Sequence, residues 1–442
     1  MIIEFSVTNF GPIKTKQTLS FEATNDDTLE DYYVHEPIPG LRLLKFAILY
    51  GPNASGKSTI LKALDFLRKL VLNPEDKKTD KLDFEPFLFD ENTPLQPSEL
   101  NLSFIQNKIK YNYTIVFTKD LILKEELDYQ PKGRSAVVYT RETNVENRIS
   151  EINFGSTIKI LKEDRMILRG NTISNNSVLG AYNKSNINSP ELDEVFGWFK
   201  DELMRLIQPQ HNLFSWTSDR VEKNENGFRQ KVIDIIRKAD IQINNIEIDV
   251  DEEEISKQVL DNIDKLPISN EAIEKIKTEK KFVKKDVIFH HNISNNGNVE
   301  TYHLSKDFES LGTKRYYELS GILATLIDEE KVVCIDEIET SLHPDLMKHF
   351  ILTYLVNSRS SQLLISTHNV FLLSEKDMLR NDAIWFTEKQ LDGSTDLFSL
   401  DDFDSSTLRK GTSIINAYKI GKLGAKPNLG SYFINTYSNG KE

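Results

Sequence analysis

Cys334 is the only cysteine in 442 residues. One thiol excludes an intrachain disulfide and any cysteine-based metal cluster, and it fits a reducing compartment. No stretch approaches the roughly 18 apolar residues of a membrane-spanning helix, so no membrane role is expected. The start, Met1-Ile2-Ile3-Glu4-Phe5, lacks the basic-then-apolar layout of a secretory leader. A cytoplasmic location is the resulting expectation. Excess positive charge is missing too: 55 Lys and Arg face 68 Asp and Glu, a net charge of −13. A generic DNA coat would be basic. A local basic groove stays open, but the lysines at 275, 277, 280, 281, 284 and 285 read first as a solvated face. Heptads long enough for a coiled-coil arm are lacking, as is any internal repeat.

What is present is an ordinary apolar content, 39%, and a length that suggests two or three structural units. The most informative stretch is Gly51-Pro52-Asn53-Ala54-Ser55-Gly56-Lys57-Ser58, which fits the phosphate-binding loop G-x-x-x-x-G-K-[ST] at every fixed position. A strand-like run over 44–50 leads in, and a helix-like run over 58–67 leads out. A helix N-terminus offers unpaired N–H groups and the positive end of the dipole to an anionic triphosphate. Gly51 and Gly56 let the backbone curl around phosphates, Lys57 supplies a point charge, and the Ser58 hydroxyl suits Mg²⁺. Asn53, Ala54, Ser55 and Thr59 complete the set expected to touch the nucleotide.

Three regions follow from the patterning. Residues 1–129 read as a β-rich lobe, with alternating runs over 3–10, 100–105 and 111–117 and a third strand over 121–127. Residues 130–298 read as an inserted, mainly helical or mixed lid or dimerisation region. Within it, Leu192, Val195, Phe196, Phe199, Leu203, Leu206 and Ile207 fall on one helical face before Pro209, and 241–250 reads as a strand. Residues 299–442 return to α/β signals, with buried strands expected over 331–335, 362–366 and 383–387 and a helix over 346–356. Such alternation implies right-handed crossovers and a largely parallel sheet.

Two acids end the first of those strands. Asp336 can hold Mg²⁺ directly or through water, and Glu337 can orient or deprotonate an attacking water. His368 closes the next strand at the same sheet edge, where it can contact a γ-phosphate and report its loss. Upstream, Ser310 and Gly312 precede a helix expected over 316–326 and form a second phosphate-binding surface. One chain cannot easily fold both helix N-termini onto one triphosphate. A symmetric dimer, each subunit presenting this loop to its partner's nucleotide, is the simplest solution.

This set resembles the ABC-type ATPases, specifically the SMC/RecF-like branch. The resemblance rests on Asn9-Phe10-Gly11-Pro12, the Walker A motif, the signature-like Glu309-Ser310-Leu311-Gly312-Thr313, a Walker B run ending Asp336-Glu337, the switch His368, and Glu339-Thr340-Ser341-Leu342-His343-Pro344 at the D-loop. It covers the first and last thirds of the chain. The signature departs from the transporter-like Ser-Gly-Gly-Gln, and no Q-loop glutamine is assigned, Gln96 and Gln106 being candidates. Within the branch, the chain is similar to ATPases of bacterial phage-defence systems, namely abortive-infection ATPases and AriA-type ATPases of PARIS systems. The diffuse tail Ile420-Gly421-Lys422-Leu423-Gly424-Ala425-Lys426-Pro427 adds to that likeness.

The resemblance implies an ABC-ATPase head: an antiparallel β lobe plus a mostly parallel sheet flanked by helices, with an inserted lid. It implies ATP and Mg²⁺ as ligands, slow regulatory hydrolysis, and a homodimer or higher homo-oligomer through the heads. A separately encoded nuclease-like effector and a phage-derived trigger are the implied partners. Three other readings are weighed against it. A DNA-repair or recombination ATPase predicts salt-sensitive DNA binding, which the acidic charge and missing coiled coil disfavour. A transporter subunit is disfavoured by the signature and the insertion. An OLD-like ATPase-nuclease would need a further domain, yet only about 75 residues follow His368. Asp402 and Asp404 form a D-x-D there, read first as an acidic surface turn.

Overall fold

The computed structural model describes residues 1–131, 133–239, 242–254, 281–375, 377–403 and 413–426. The chain opens with β1 (Ile2–Thr8) and β2 (Gln17–Ser20), then a hairpin of β3 (Val34–Ile38) and β4 (Leu41–Leu44), then β5 (Phe46–Tyr50). The helix Lys57–Leu72 follows. After it come β6 (Ser98–Gln106), β7 (Ile109–Phe117), β8 (Ile122–Gln130), β9 (Ala136–Thr143) and β10 (Ser150–Phe154). Beyond a helical stretch lie β11 (Ile243–Glu254), β12 (Lys281–Asn295) and β13 (Asn298–Ser305). The last strands are β14 (Val332–Ile335), β15 (Gln362–Thr367), β16 (Ile384–Lys389) and β17 (Thr395–Ser399).

Packing divides the chain into two units. The first comprises Met1–Pro209, Glu329–Thr340 and Leu355–Glu442, the second Gln210–Asp328 and Ser341–Tyr354. The expected boundaries at 129 and 298 fall elsewhere. β9 and β10 carry the β lobe's sheet onward past residue 130, and 130–209 stay with the first unit.

Two large sheets and the two-stranded β3-β4 hairpin build the first unit. Seven antiparallel strands run in the order β10-β9-β8-β7-β6-β1-β2. Burial alternates along β6 and β7, as a sheet with one covered face requires. The other sheet has the order β14-β15-β5-β16-β17, parallel except for β17. Every residue of β5 and β14 is buried, the pattern of strands covered on both faces. The helix Lys57–Leu72 buries Ile60, Leu61, Leu64, Leu67 and Val71, an i, i+3/i+4 stripe. Phe66 ties it to the β lobe through Phe10, Phe84 and Phe117, with ring centroids 5.3–5.6 Å away. The expected α/β class thus holds: an antiparallel lobe beside a mostly parallel sheet flanked by helices.

The apolar face expected to run as one helix to Ile207 stops earlier. The helix Pro190–Gly197 ends in a π-turn over Trp198–Glu202, and the chain then extends. Met204 N–H donates to Val332 O and Ile207 N–H to Cys334 O, both at 2.9 Å. The open edge of β14 offers backbone partners that outweigh local helical periodicity.

The second unit combines the helices Phe214–Lys223, Phe228–Lys238 and Leu311–Asp328 with the sheet β11-β12-β13. Sheet and helix thus share the insert, which was read as mainly helical or mixed, and the strand expected over 241–250 overlaps β11. Phe214, Phe289 and Tyr317 form its aromatic centre, and Thr217 Oγ1 donates to Glu318 O at 3.0 Å. Gly321 permits that helix contact, since a Cβ there would collide with Thr217. Among the described residues, no helix is long and apolar enough to cross a membrane.

Candidate nucleotide site

The loop between β5 and its helix is shaped by side chains that sequence alone did not connect to it. Ser55 Oγ and Thr387 Oγ1 share a hydrogen bond of 2.5 Å, and Thr395 Oγ1 donates to Ser55 O at 3.0 Å. Two threonines from β16 and β17 therefore pin the loop from behind. Gly56 has φ +102, and a Cβ there would collide with Thr395, so glycine is required on both counts. The loop walls a cavity of about 330 Å³ lined by Asn53, Ala54, Ser55, Gly56, Lys57, Ser58, Thr59 and Glu337.

Lys57 Nζ donates to Gly51 O at 2.7 Å and Pro52 O at 3.1 Å. Burial lowers its pKa, while Asp336, Glu337 and Glu339 pull the other way. A buried ammonium held by loop carbonyls is a cation poised for a stronger anionic partner.

Ser58 Oγ donates to Asp336 Oδ1 at 3.0 Å, joining positions 278 residues apart. Ser366 Oγ donates to the same oxygen at 2.5 Å, and Asp336 N–H donates to Ile207 O at 2.8 Å. These oxygens form an all-oxygen donor pair beside the loop. Mg²⁺ needs no more from protein, because it completes an octahedron from phosphates and water. Among the described residues, no group of three His, Cys, Asp or Glu could hold a metal, so the residues fit this cation and not a metal needing several such side chains.

Glu337 sits with φ +48, in the left-handed region. For a non-glycine residue that costs on the order of 1 kcal/mol and clusters at sites of function. The turn is fixed by Glu337 N–H donating to Ser366 Oγ at 2.9 Å, and Glu337 lines the cavity. Ser366 thus serves both acids. It was read only as part of a strand end; a hydroxyl after three apolar residues was the available signal.

His368 does not line the cavity. Its side chain is 52% exposed and its Nδ1 is paired with Glu339 Oε1 at 2.9 Å, which also accepts from His368 N–H at 2.8 Å. Glu339 belongs to the stretch read as the D-loop, and its partnership with His368 carried no local signal. Glu339 Oε2 is buried without a partner. Neither Gln96 nor Gln106 lines the cavity; Gln96 O instead accepts from Asn9 Nδ2.

Ser310 and Gly312 belong to the second unit. Ser310 Oγ caps the helix Leu311–Asp328, accepting from Thr313 N–H at 3.0 Å. A Cβ on Gly312 would lie 3.2 Å from Ser341 O, so the signature-like and D-loop turns meet within this unit. Phe308 and Leu311 flank Ser310 and are 79% and 74% exposed. His291 Nε2 pairs with Glu309 Oε1 at 2.6 Å.

Asp402 of the D-x-D closes a capping box, accepting from Ser399 N–H at 2.7 Å. That is a turn-forming role; Asp404 lies outside the described residues.

Residues 46–374, well over half of the chain, match the family model AAA_21, described as "AAA domain, putative AbiEii toxin, Type IV TA system". No curated protein matches the chain. Among solved structures it is similar to an Smc head bound to the C-terminal winged-helix domain of ScpA, at 14% identity and TM-score 0.43, covering 90% of this chain and 97% of that one. The SMC head of Thermotoga maritima gives 12%, 0.41, 90% and 98%. A Pyrococcus furiosus Smc head with an extended coiled coil, bound to the C-terminal domain of ScpA, gives 14%, 0.37, 96% and 99%.

Proposed function

The chain belongs to the AAA_21 family of P-loop ATPase domains, and from that premise we propose that it binds and slowly hydrolyses ATP as a sensor or scaffold in phage defence. The observation that carries the nucleotide chemistry is the Ser58–Asp336 hydrogen bond with Glu337 in the same cavity as the P-loop. Lys57 exchanges its loop carbonyls for the β- and γ-phosphates. Ser58 and Asp336 would hold Mg²⁺, which would supply neutralisation of the charge that develops on the phosphate oxygens. Glu337, fixed by its backbone turn, orients the attacking water and takes its proton. Glu339 holds the His368 ring by Nδ1 outside the cavity, and closure would have to carry the ring inward for an Nε2–H to donate to the γ-phosphate.

Ser310 and Gly312 would meet the nucleotide of a second copy, which makes the working form a homodimer or a larger homo-oligomer. ATP that binds the closed pair better than the open one shifts the population toward closure. The output would be capture or release of a separately encoded effector. The family's description, a putative AbiEii toxin of a type IV toxin–antitoxin system, supports a toxin–antitoxin setting for the chain and names no separate effector.

The test is phosphate release and particle size with ATP and Mg²⁺, combined with phage plating. Glu337→Gln is expected to cut turnover by about 10²–10⁴-fold while retaining ATP and holding the larger assembly. Lys57→Ala should lose nucleotide binding and any protection in the plating assay. Unchanged turnover in Glu337→Gln removes that residue from its role. Protection that survives Lys57→Ala sinks the link between ATP and defence.

A further inference from the structure

The cavity has a second wall that the phosphate chemistry leaves unused. Phe89 lines it with Pro12, Lys389 and Gly393. A single exposed apolar side chain is ordinary, but Phe89 is 69% exposed while held firmly at the mouth of this cavity. Its ring meets Phe87 edge-on, with centroids 5.7 Å apart at 86°. It also rests on bare backbone, because a Cβ on Gly393 would come within 2.8 Å of the ring.

The segment carrying Phe89 is clamped from below. Gly11 N–H donates to Glu85 O at 2.7 Å and Phe87 N–H to Asn9 Oδ1 at 2.9 Å. Asn9 Nδ2 donates to Thr93 O and Gln96 O, both at 2.9 Å. Lys14 bridges Asp90 at 3.0 Å and Asp392 at 3.3 Å. Asn9-Phe10-Gly11-Pro12 therefore acts as a clamp that presents one aromatic ring beside the P-loop.

We infer that Phe89 is the platform on which the base of the bound nucleoside triphosphate stacks, so that the site prefers purines over pyrimidines and separates adenine from guanine poorly. An aromatic face stacks on any base and gains more from the larger purine. Lys389 can only donate, and both purines offer N7 as an acceptor. This inference rests on the cavity being a nucleoside-triphosphate site.

Calorimetry with ATP, GTP, CTP, UTP and inorganic tripolyphosphate tests it, all with Mg²⁺. The wild-type chain should bind ATP and GTP within about threefold of each other and the pyrimidine nucleotides about tenfold more weakly. Phe89→Ala should lose about tenfold for purines and nothing for tripolyphosphate, while Phe89→Trp keeps wild-type affinity. Unchanged ATP affinity in Phe89→Ala, or an equal loss for tripolyphosphate, overturns the platform. If the wild-type chain binds ATP no better than tripolyphosphate and Lys57→Ala abolishes both, the platform fails and the phosphate site stands. If neither ligand binds the wild-type chain, both fall.

Discussion

Two regions of the first unit treat buried charge in opposite ways. In the seven-stranded sheet, Glu125 is fully buried and accepts from Tyr113 Oη, Tyr139 Oη, Arg141 Nη1 and Val178 N–H. Arg141, equally buried, spends its remaining donors on Ser150 Oγ and the carbonyls of Ile173, Ser174 and Asn176. At the carboxyl end of the five-stranded sheet, Lys57 Nζ donates to the loop carbonyls of Gly51 and Pro52, and Glu337 lines the cavity from a left-handed turn. Closed networks specify packing, whereas aimed and incompletely answered charges are what a site needs before its ligand arrives.

The comparison breaks most visibly in the closed network. Glu125→Ala strands the Arg141 guanidinium in the interior and is expected to cost about 3–5 kcal/mol, read as a fall in the urea midpoint. Glu337→Gln should move that midpoint by less than about 0.5 kcal/mol, because it breaks no buried pair. A Glu125→Ala chain as stable as the wild type would mean that the network is not closed in the way described.

Lys45 sits between the two regimes. It enters β5 buried, with Nζ donating to Leu355 O and Ser358 O, and burial pushes its pKa down to about 8. Between about 8 and its ordinary value near 10.5, the unfolded chain holds a proton that the folded chain has lost. Stability must therefore rise with pH across that window, and the cost of burial is fully present below it. Raising the pH from 8 to 9.5 should add on the order of 1–2 kcal/mol more to the wild-type chain than to Lys45→Met, while the Cys334 thiol, which burial raises to about 12, opposes the gain equally in both chains. That range stays below the titration of Tyr113 and Tyr139, whose burial raises their pKa values above 10. Parallel pH profiles for the two chains would clear Lys45 of any such cost.

Much of this architecture was legible because it is local. β5, its helix, β14 and β15 are short apolar runs bounded by loop residues, and the P-loop spells out its own conformation. Asp336 and Glu337 were readable as the acids that end an apolar strand. The extended course of 203–207 was not, since its apolar spacing suits a helix and only the unpaired edge of β14 decides otherwise. Phe89 was equally opaque: its place depends on Asn9, 80 positions earlier, and Gly393, some 300 later. Pairings across such separations leave no periodicity behind. The Walker motifs were therefore readable, while the side chains that brace them were not.

Glu339 sharpens the comparison at its smallest expected effect. Its Oε1 takes both the backbone N–H and the ring Nδ1 of His368, yet its Oε2 is buried with no partner. A carboxylate with one oxygen unanswered adds little to stability, so its worth should appear in turnover. Glu339→Ala is expected to lower kcat about tenfold with the KM for ATP unchanged. Glu339→Gln, which keeps an acceptor for the ring, should recover part of that loss. If Glu339 acts through the histidine, adding Glu339→Ala to His368→Ala should cost nothing further, because the first change has already removed what the second disturbs. Independent, additive losses would instead place Glu339 in direct contact with the reacting groups and leave His368 without its positioning partner.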